Sequence, residues 1–531
     1  MEILEFTSVT IDRLLKEFQP LASKGKETLP NTLSYIHSHL GARHVVIETD
    51  YVCRDFRSEF SALYSKRFKP FPASTTRLHF FGATKLDAAI LRSSGSLPEE
   101  LGYRGYVVLR PTDVCRVGRT MLSPPTPTPD EFFFPCTASF PAHLFGRTLE
   151  VTAMPFCQQD SMVMTCAQAA IWMTTNLMAR YLHWPAPLPH EITASASKYY
   201  LSWLGRPLPS GGLSVEQMVN GLVDLGYSPI FHRIAMDSGA VEKLSKIYKY
   251  LESRVPVIVT MGEHAIPVCG YLYDPTMVPP PSPLFAAHGE SNLVGYENWI
   301  CGLLAHDDGV GPYRIIPTDL SARDKIAKTN YFDLLLPSNW PDEGVKECTA
   351  DQIDGIVVPL PEKVYLTGDS VYEIAAALLE DDGVMQPLSE AALRGQSSAA
   401  AFLTSLRRPS SEPIVLRAYF VESNAFRSML KNVPLTDTLS PLVRDAYLSM
   451  AMSRYVWVVE LTAASEMKKL RAAERQVYGE LILDSTASPH GPSFLAIHLP
   501  GVLQSRDVSN ERWSTLIIED DRPYQYPQDF F

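Results

Sequence analysis

The sequence lacks several features that mark whole classes of proteins. No apolar run approaches the roughly 18 to 20 residues that are needed to span a bilayer, and no internal repeat is visible. Basic residues are in deficit, because 47 lysines and arginines face 59 acidic residues, for a formal net charge of −12. Phosphate binding favours a net basic surface. We therefore expect neither a membrane nor a nucleic acid as a partner.

Paired cysteines and a secretory signal are also missing. The eight cysteines, spread from Cys53 to Cys348, contain no C-x-x-C and no Cys/His spacing typical of structural zinc. The sequence thus predicts no metal site and no cofactor. Glu2 and Glu5 stand where a signal peptide would need positive charge and then an apolar run. We expect a cytoplasmic protein in which most thiols are buried.

What is present is the composition of an ordinary globular protein, with 46% hydrophobic and 20% charged residues. A chain of 531 residues is too long for one core. Helical and strand-like patterns are mixed throughout, which predicts the α+β class. We expect an N-terminal α+β region (1–150), a central domain (151–335) and a C-terminal α+β region (336–531). The pattern specifies neither the roles of the flanking regions nor the oligomeric state.

The central region contains a thiol where a helix should begin. In DSMVMTCAQAAIWM, residues 160–173, a polar stretch is followed by Cys166 and then by apolar residues at the helical period. The opposite side of this helix is scarcely more polar, so the helix should be buried. A second helix is predicted after Ser214, where Gln217 completes a capping box.

Strand-like runs follow the second helix. VPVIVT (255–260) and HAIPVCGYLY (264–273) predict two strands joined by a glycine-containing turn. Pro267 removes a ladder donor from the second strand and therefore predicts an edge or a bulge. Residues 275–297, rich in proline and small side chains, predict an insertion loop. A third strand is predicted over 299–306.

Along these elements stands a set of residues that suits thiol chemistry. A helix N-terminus and an adjacent imidazolium both lower the pKa of a thiol, and Cys166 can have both if His264 projects from its strand. Asp307, just past the third strand, can accept the second imidazole N–H and orient the ring. Gln159 can present its amide beside the Cys166 backbone N–H, where negative charge would develop on an attacked carbonyl.

The same order, Gln, a short polar stretch, Cys-Ala at a helix start, then H-A-I-P-V-C-G-Y and a strand ending in Asp, resembles the papain-like cysteine peptidase superfamily. Its branch of bacteriocin-leader processing peptidases is the most similar, and phytochelatin synthase is a more distant likeness. The resemblance covers residues 155–320. It implies a helix bearing the nucleophile Cys166 packed on an antiparallel sheet that bears the general base His264 and the orienting Asp307, with Gln159 as oxyanion donor.

The spacing departs from that superfamily in two places and leaves alternatives open. Relatives place the Gln six residues before the Cys, whereas Gln159 and Gln158 precede it here by seven and eight. Either can be the donor. The acid normally follows the His by fewer than twenty residues, whereas Asp307 follows it by 43, a gap that an insertion would explain. The neighbouring Asp308 is the alternative acid, and Asp274 also competes.

The expected function is acyl transfer by a cysteine nucleophile. The simplest form is a peptidase that hydrolyses a peptide or isopeptide bond in a protein or peptide substrate. Transglutaminase-like transfer or deamidation would use the same three groups. A catalytically inactive binding or scaffold protein with the same fold is the alternative of a different class.

One group of basic residues is expected to lie at the surface without binding an anion. Four arginines surround the strand-like YVVLRP, at Arg104, Arg110, Arg116 and Arg119. A solvated basic rim is the expected arrangement, in preference to an anion site.

Overall fold

The structure is a computed structural model that describes residues 2–18, 27–92, 101–199, 208–235, 237–279, 285, 292–337, 348–408, 411–432, 439–488, 493–507, 512–519, 521 and 523–525. Much of the predicted insertion loop, residues 280–284 and 286–291, lies outside these ranges. Within them, no helix combines the length and the apolar character that crossing a membrane would need.

The strands are, in chain order, β1 (Glu2–Glu5), β2 (His44–Tyr51), β3 (Thr75–Phe81), β4 (Tyr103–Leu109), β5 (Val117–Leu122), β6 (Phe132–Phe133), β7 (Ala138–Leu144), β8 (Arg147–Phe156), β9 (Ser228–Arg233), β10 (Val257–Met261), β11 (His264–Tyr273), β12 (Leu293–Gly295), β13 (Ile300–Asp307), β14 (Gly311–Pro317), β15 (Gly355–Leu360), β16 (Ile414–Glu422), β17 (Tyr455–Ala463), β18 (Val477–Asp484), β19 (Phe494–Leu499), β20 (Val502–Asp507) and β21 (Arg512–Ile517).

The helices are α1 (Ser8–Glu17), α2 (Thr28–Ser38), α3 (Arg54–Ala62), α4 (Ala88–Arg92), α5 (Cys166–Leu182), α6 (Pro189–Ser197), α7 (Val215–Asp224), α8 (Ala240–Glu252), α9 (Leu320–Ile326), α10 (Gly368–Glu380), α11 (Asp382–Leu393), α12 (Ser397–Arg407), α13 (Ser423–Asn432) and α14 (Pro441–Ser449).

The described strands form three sheets. The first has the order β1-β2-β3-β4-β5-β8-β7, and the second has β14-β13-β11-β10-β15-β9 with β6 beside β11. The third runs β12-β16-β17-β18-β19-β20-β21. Pairing is antiparallel in the ladders that matter most here, β10 with β11 and β13 with β14. The predicted α+β class is confirmed.

The chain divides into two compact units. Unit 1 comprises Met1–Asp237, Arg254–Tyr271 and Gly302–Pro361; unit 2 comprises Ser238–Ser253, Leu272–Cys301 and Glu362–Phe531. Unit 1 therefore draws residues from all three regions expected from the sequence. Compactness does not test whether those regions are separate domains, so their boundaries near residues 150 and 335 stay a prediction.

Helix α5 forms the centre of unit 1. Every residue from Ala167 to Ala179 is buried, and the helix packs on β7, β8 and β10 and against α6 and α7. Burying one large apolar side chain stabilises a fold by about 1.5–3 kcal/mol, so the row of buried residues around Trp172 holds this helix firmly. The predicted buried helix is confirmed, and its first residue, Cys166, has a fixed position.

The hairpin β10–β11 places His264 at the start of a strand. Met261 pairs with His264, which leaves Gly262 and Glu263 as a two-residue turn. Gly262 has a φ of +61°, the left-handed value that such tight hairpin turns require and that glycine adopts without strain. Asp354 secures the turn by accepting the Gly262 backbone N–H at 2.9 Å.

Pro267 does not mark an edge. Strand β11 lies inside the second sheet, between β10 and β13, and Pro267 pairs opposite Ile258 with no shift of register. The predicted edge is therefore wrong, and the ladder with β10 has no bulge at this point.

The interval between the histidine and aspartate strands is an excursion into unit 2. Residues Leu272–Cys301 belong to that unit. Its last part is not a loop, because Leu293–Gly295 pairs with Ile414–Leu416 as strand β12 and Tyr296–Trp299 forms a buried 3-10 turn. The predicted loop is thus wrong for residues 293–297, where backbone pairing in the third sheet overrides the local composition. The excursion accounts for the long gap between His264 and Asp307.

Candidate active site

Cys166 is the first residue of α5 and is partly exposed. The backbone N–H of the preceding Thr165 donates to Oε1 of Gln168 at 3.1 Å, which fixes the first turn of the helix. The N–H groups at the start of the helix and the positive end of the helix dipole therefore lie at the thiol. Among the other cysteines, Cys301 is partly exposed and the remaining six are buried.

The thiol lies at the start of β11. Its sulfur is 3.8 Å from the carbonyl oxygen of Glu263, the residue just before His264. The Cys166 side chain is within hydrogen-bonding reach of the His264 side chain. Two residues that are 98 positions apart in the sequence are thereby neighbours.

The other side of the imidazole faces Asp307, the last residue of β13. Nε2 of His264 lies 3.1 Å from Oδ2 of Asp307. The second oxygen, Oδ1, accepts the backbone N–H groups of Gly309 and Val310, each at 2.8 Å. An ionised carboxylate can only accept hydrogen bonds, so the imidazole donates from Nε2, and Nδ1 is the nitrogen left to exchange a proton with the thiol.

These contacts control the protonation of His264. Burial alone disfavours the imidazolium, but the Asp307 carboxylate, the hydrogen bond with Cys166 and the charge of Asp308 outweigh it and raise the pKa of His264 well above its ordinary value. The geometry therefore favours an imidazolium next to the sulfur.

Asp308 is buried beside this pair without joining its hydrogen bonds. Oδ1 of Asp308 is 3.8 Å from Nε2 of His264, and neither of its oxygens has a hydrogen-bond partner within the described ranges. Burial, reinforced by the charge of Asp307, raises the pKa of Asp308 to about 6, although His264 and the backbone N–H of Gln159 act in the opposite direction. Of Asp307 and Asp308, Asp307 is the one that hydrogen-bonds the imidazole.

The two glutamines have different surroundings. Gln158 is buried, its Oε1 accepts the Val117 backbone N–H at 3.1 Å, and its Nε2 donates to Oγ1 of Thr28 at 2.8 Å. Its amide is therefore committed to the framework. Gln159 is only partly buried. Gln159 is thus the glutamine whose amide can serve a ligand.

Hydrogen bonds join the glutamine segment to the aspartate loop. The Thr28 hydroxyl that accepts from Gln158 donates to the carbonyl oxygens of Asp308 at 3.2 Å and Gly309 at 2.8 Å. The backbone N–H of Gln159 also faces the Asp308 carboxylate. The segment before Cys166 and the loop after Asp307 therefore form one connected arrangement.

A buried arginine, Arg110, supports the same segment. Arg110 donates to the carbonyl oxygens of Cys115 at 2.7 Å, Val117 at 3.2 Å and Gln158 at 2.7 Å, and it pairs with Glu59 at 3.0 Å. Its side chain is only 2% exposed. The expectation of a solvated rim is therefore wrong for Arg110, because backbone carbonyls that no sequence motif reveals take up its donors.

Asp160 shapes the turn between Gln159 and Cys166. Its Oδ1 accepts the backbone N–H groups of Met162, Val163 and Met164 at 3.1, 2.8 and 2.7 Å. Its Oδ2 accepts the hydroxyl of Tyr64 at 2.9 Å. The polar stretch before the cysteine is thus an ordered turn. An aspartate followed by a short run and a helix is the only sequence signal for it.

The same site contains a group that could hold a metal ion. His264, Asp307 and Asp308 each offer one ligand atom, and these atoms all lie within 4.8 Å of one another. One imidazole and two carboxylates form a donor set that suits a divalent ion. The sequence analysis did not anticipate this group, because its ligands are 43 residues apart.

Comparisons of the chain with known proteins were made at three levels. No protein-family model, no curated protein and no solved structure matched it. The likeness to papain-like peptidases therefore depends on the site residues and their order in the chain.

Proposed function

We propose that this protein is a cysteine-nucleophile acyl-transfer enzyme, most simply a papain-like peptidase that hydrolyses a peptide or isopeptide bond. One observation carries the proposal: a partly exposed thiol at a helix start, an imidazole beside it and a buried carboxylate on the far ring nitrogen meet at one place. This is the order of nucleophile, base and orienting acid that thiol acyl transfer requires.

The first half of the reaction forms a thioester. Nδ1 of His264 takes the proton of Cys166, and the sulfur attacks the carbonyl carbon of the substrate. The negative charge that develops on the carbonyl oxygen would be stabilised by the Cys166 backbone N–H and the Gln159 amide. The imidazolium then gives its proton to the leaving amine as the C–N bond breaks.

The second half releases the acyl group. His264 removes a proton from a water molecule, which attacks the thioester, and the thiol leaves with that proton. Asp307 keeps the ring in one orientation throughout, because two backbone N–H groups fix its carboxylate. An amine in place of water would give transfer, and a glutamine side chain as acyl donor would give deamidation, with the same three protein groups.

The architecture supports the papain-like form of the proposal. The cysteine helix α5 packs against β10, and His264 and Asp307 stand on β11 and β13 of the same antiparallel sheet. The free cysteines among the described residues fit the proposed cytoplasmic setting, since that compartment keeps thiols reduced. The proposed substrate is a protein or a peptide.

A binding or scaffold role remains the competing proposal. It needs the fold and no reactive thiol. The complete set of thiol, base and acid favours turnover, because a chain without turnover has no need to bury Asp307 against His264.

Acylation by an activated ester tests the proposal without knowledge of the substrate. We expect p-nitrophenyl acetate to release a rapid burst of one p-nitrophenolate per chain, with the acetyl group found on Cys166 by peptide mass spectrometry. Cys166→Ala should abolish the burst. Cys301→Ala is the matched control, because Cys301 is the other partly exposed cysteine, and it should keep the burst.

Two results would count against an enzyme. One is acetylation spread evenly over the cysteines. The other is a burst that survives Cys166→Ala. In either case the scaffold role would be preferred.

A further inference from the structure

The Asp308 carboxylate makes no hydrogen bond to the imidazole of the thiol site, which indicates that it serves another ligand. It is fully enclosed, with a side chain 1% exposed. The backbone N–H of Gln159 lies close enough to lower its pKa, but neither oxygen makes a hydrogen bond of good geometry to a described residue. Burying an ionised carboxylate is costly unless it is paired or binds a metal. Its nearest cation is His264, at 3.8 Å, which already hydrogen-bonds Asp307.

We propose that His264, Asp307 and Asp308 bind a divalent transition-metal ion and that the bound ion keeps the proposed enzyme inactive. The regulatory half of this inference rests on the proposed function, whereas the binding half does not. The three ligand atoms already lie within 4.8 Å of one another.

The distances suit one ion after a small movement. Zinc binds nitrogen and oxygen ligands at about 2.0–2.2 Å, so two of its ligand atoms lie about 3 Å or slightly more apart. The Nε2 to Oδ2 distance between His264 and Asp307 is 3.1 Å. The Nε2 to Oδ1 distance to Asp308 is 3.8 Å, which a rotation of the Asp308 side chain can shorten.

The charge and the surroundings also suit an ion. Two carboxylates face one imidazole, so the group carries excess negative charge that a divalent cation would balance. Asp307 is already held by the backbone N–H groups of Gly309 and Val310. Hydrogen bonds of this kind orient metal ligands and raise affinity.

Cys166 lies outside this ligand group. Its sulfur does not belong to the set of mutually close donor atoms, and it faces the imidazole while Nε2 faces the aspartates. The ion would therefore leave the thiol unligated and act on it through the ring.

Inhibition follows from competition for one nitrogen. A histidine ligand binds as the neutral imidazole, so an ion on Nε2 displaces the proton that is now donated to Asp307. His264 can then no longer form the imidazolium that activates the sulfur and protonates the leaving amine. An imidazole ligand favours zinc over magnesium, so Zn²⁺ is the probe and Mg²⁺ is the control cation.

Zinc binding to full-length Cys166→Ser chain tests the binding half alone. This variant cannot bind zinc through the nucleophile. Competition with a chromophoric chelator should give one tight site per chain. Adding Asp308→Asn, a change of similar shape, should weaken that site by more than about tenfold, and adding His264→Ala should do the same. Thermal melting in the absence of zinc verifies that each variant is folded.

The metal site would be overturned if the folded Cys166→Ser protein had no tight zinc site, or if Asp308→Asn left the zinc affinity unchanged.

The regulatory half is tested by the rate of Cys166 alkylation in the protein that carries the thiol. Zinc should slow alkylation, whereas Mg²⁺ should not. Asp308→Asn should raise the zinc concentration that halves the alkylation rate by more than about tenfold. If alkylation shows no selectivity for Cys166 even in chelator, the proposed function fails while the measured zinc site stands.

Discussion

Nε2 of His264 lies 3.1 Å from Oδ2 of Asp307, although 43 positions separate the two residues in the sequence. The intervening chain contributes a strand to the third sheet and then returns to place Asp307 at the end of β13. Because the other oxygen of Asp307 is held by two backbone N–H groups, the imidazole has one preferred orientation.

Asp307→Asn should impair the thiol more than Asp308→Asn does. An amide at position 307 can donate to Nε2 and stabilise the wrong tautomer, which leaves Nδ1 protonated and unable to accept from the sulfur. We expect the rate of acetylation by p-nitrophenyl acetate to fall by about 10²-fold or more for Asp307→Asn. At position 308 the loss should be smaller, because that carboxylate does not hydrogen-bond the ring. The reverse order would transfer the orienting role to Asp308.

Alanine substitutions of Gln159 and Gln158 should have different effects, the first on acylation and the second on stability. Gln159→Ala removes the proposed oxyanion donor, and we expect acylation to slow by about 10²-fold or more with an unchanged melting temperature. Gln158→Ala leaves the Val117 N–H and the Thr28 hydroxyl without their buried partner. That change should lower the free energy of unfolding by about 1–3 kcal/mol. Denaturant titration and burst kinetics of both variants give the comparison, and full acylation by Gln159→Ala would exclude the oxyanion role.

Arg110→Met should be strongly destabilising. It leaves the Glu59 carboxylate buried without its cation and three backbone carbonyls without their donor. Breaking a buried ion pair from one side costs about 3–5 kcal/mol. Arg13→Met is the matched control, because the Arg13–Glu2 pair is about half exposed and exposed pairs contribute little to stability. Equal free energies of unfolding for the two variants would show that Arg110 does not support unit 1 in this way.

The protein should lose stability at alkaline pH because of His498. Burial disfavours its charge, but Glu480 and Asp521, at 3.4 and 3.0 Å, raise the pKa of His498 to about 10. A raised histidine pKa contributes stability that is fully present below the unfolded value of 6.5 and is lost as pH rises through about 10.

Melting curves between pH 7 and pH 10.5 measure this effect. The wild-type chain should lose stability across the interval, on the order of 1 kcal/mol per pH unit, beyond the loss seen for His498→Gln. Tyr524, whose hydroxyl is 3.4 Å from Nδ1 of His498, is unchanged in that variant and cancels in the comparison. Parallel curves for the two proteins would mean that His498 carries no charge when folded.

Local signals in the sequence predicted the elements that carry the site. The capping box after Ser214 forms as expected, with the Ser214 backbone N–H donating to Gln217 at 2.9 Å. The helix that begins at Cys166 and the strand that begins at His264 follow from residue periodicity and turn composition, which act within a few positions. These features depend on neighbours in the chain and can therefore be recognised without a structure.

Long-range contacts explain what could not be predicted. The roles of Arg110 and Thr28 depend on backbone carbonyls that only the folded chain brings within reach. The choice between Gln158 and Gln159 likewise depends on whether Val117 and Thr28 occupy an amide. Residues 293–295 have a loop-like context and become a strand because β16 pairs with them.

Alkylation by iodoacetamide at pH 6 tests the central claim most directly. If His264 activates Cys166, peptide mass spectrometry should find Cys166 labelled faster than Cys301, the other partly exposed thiol, by about tenfold or more. His264→Ala should remove that preference. Slow, equal labelling of the two cysteines in wild-type chain would contradict the account.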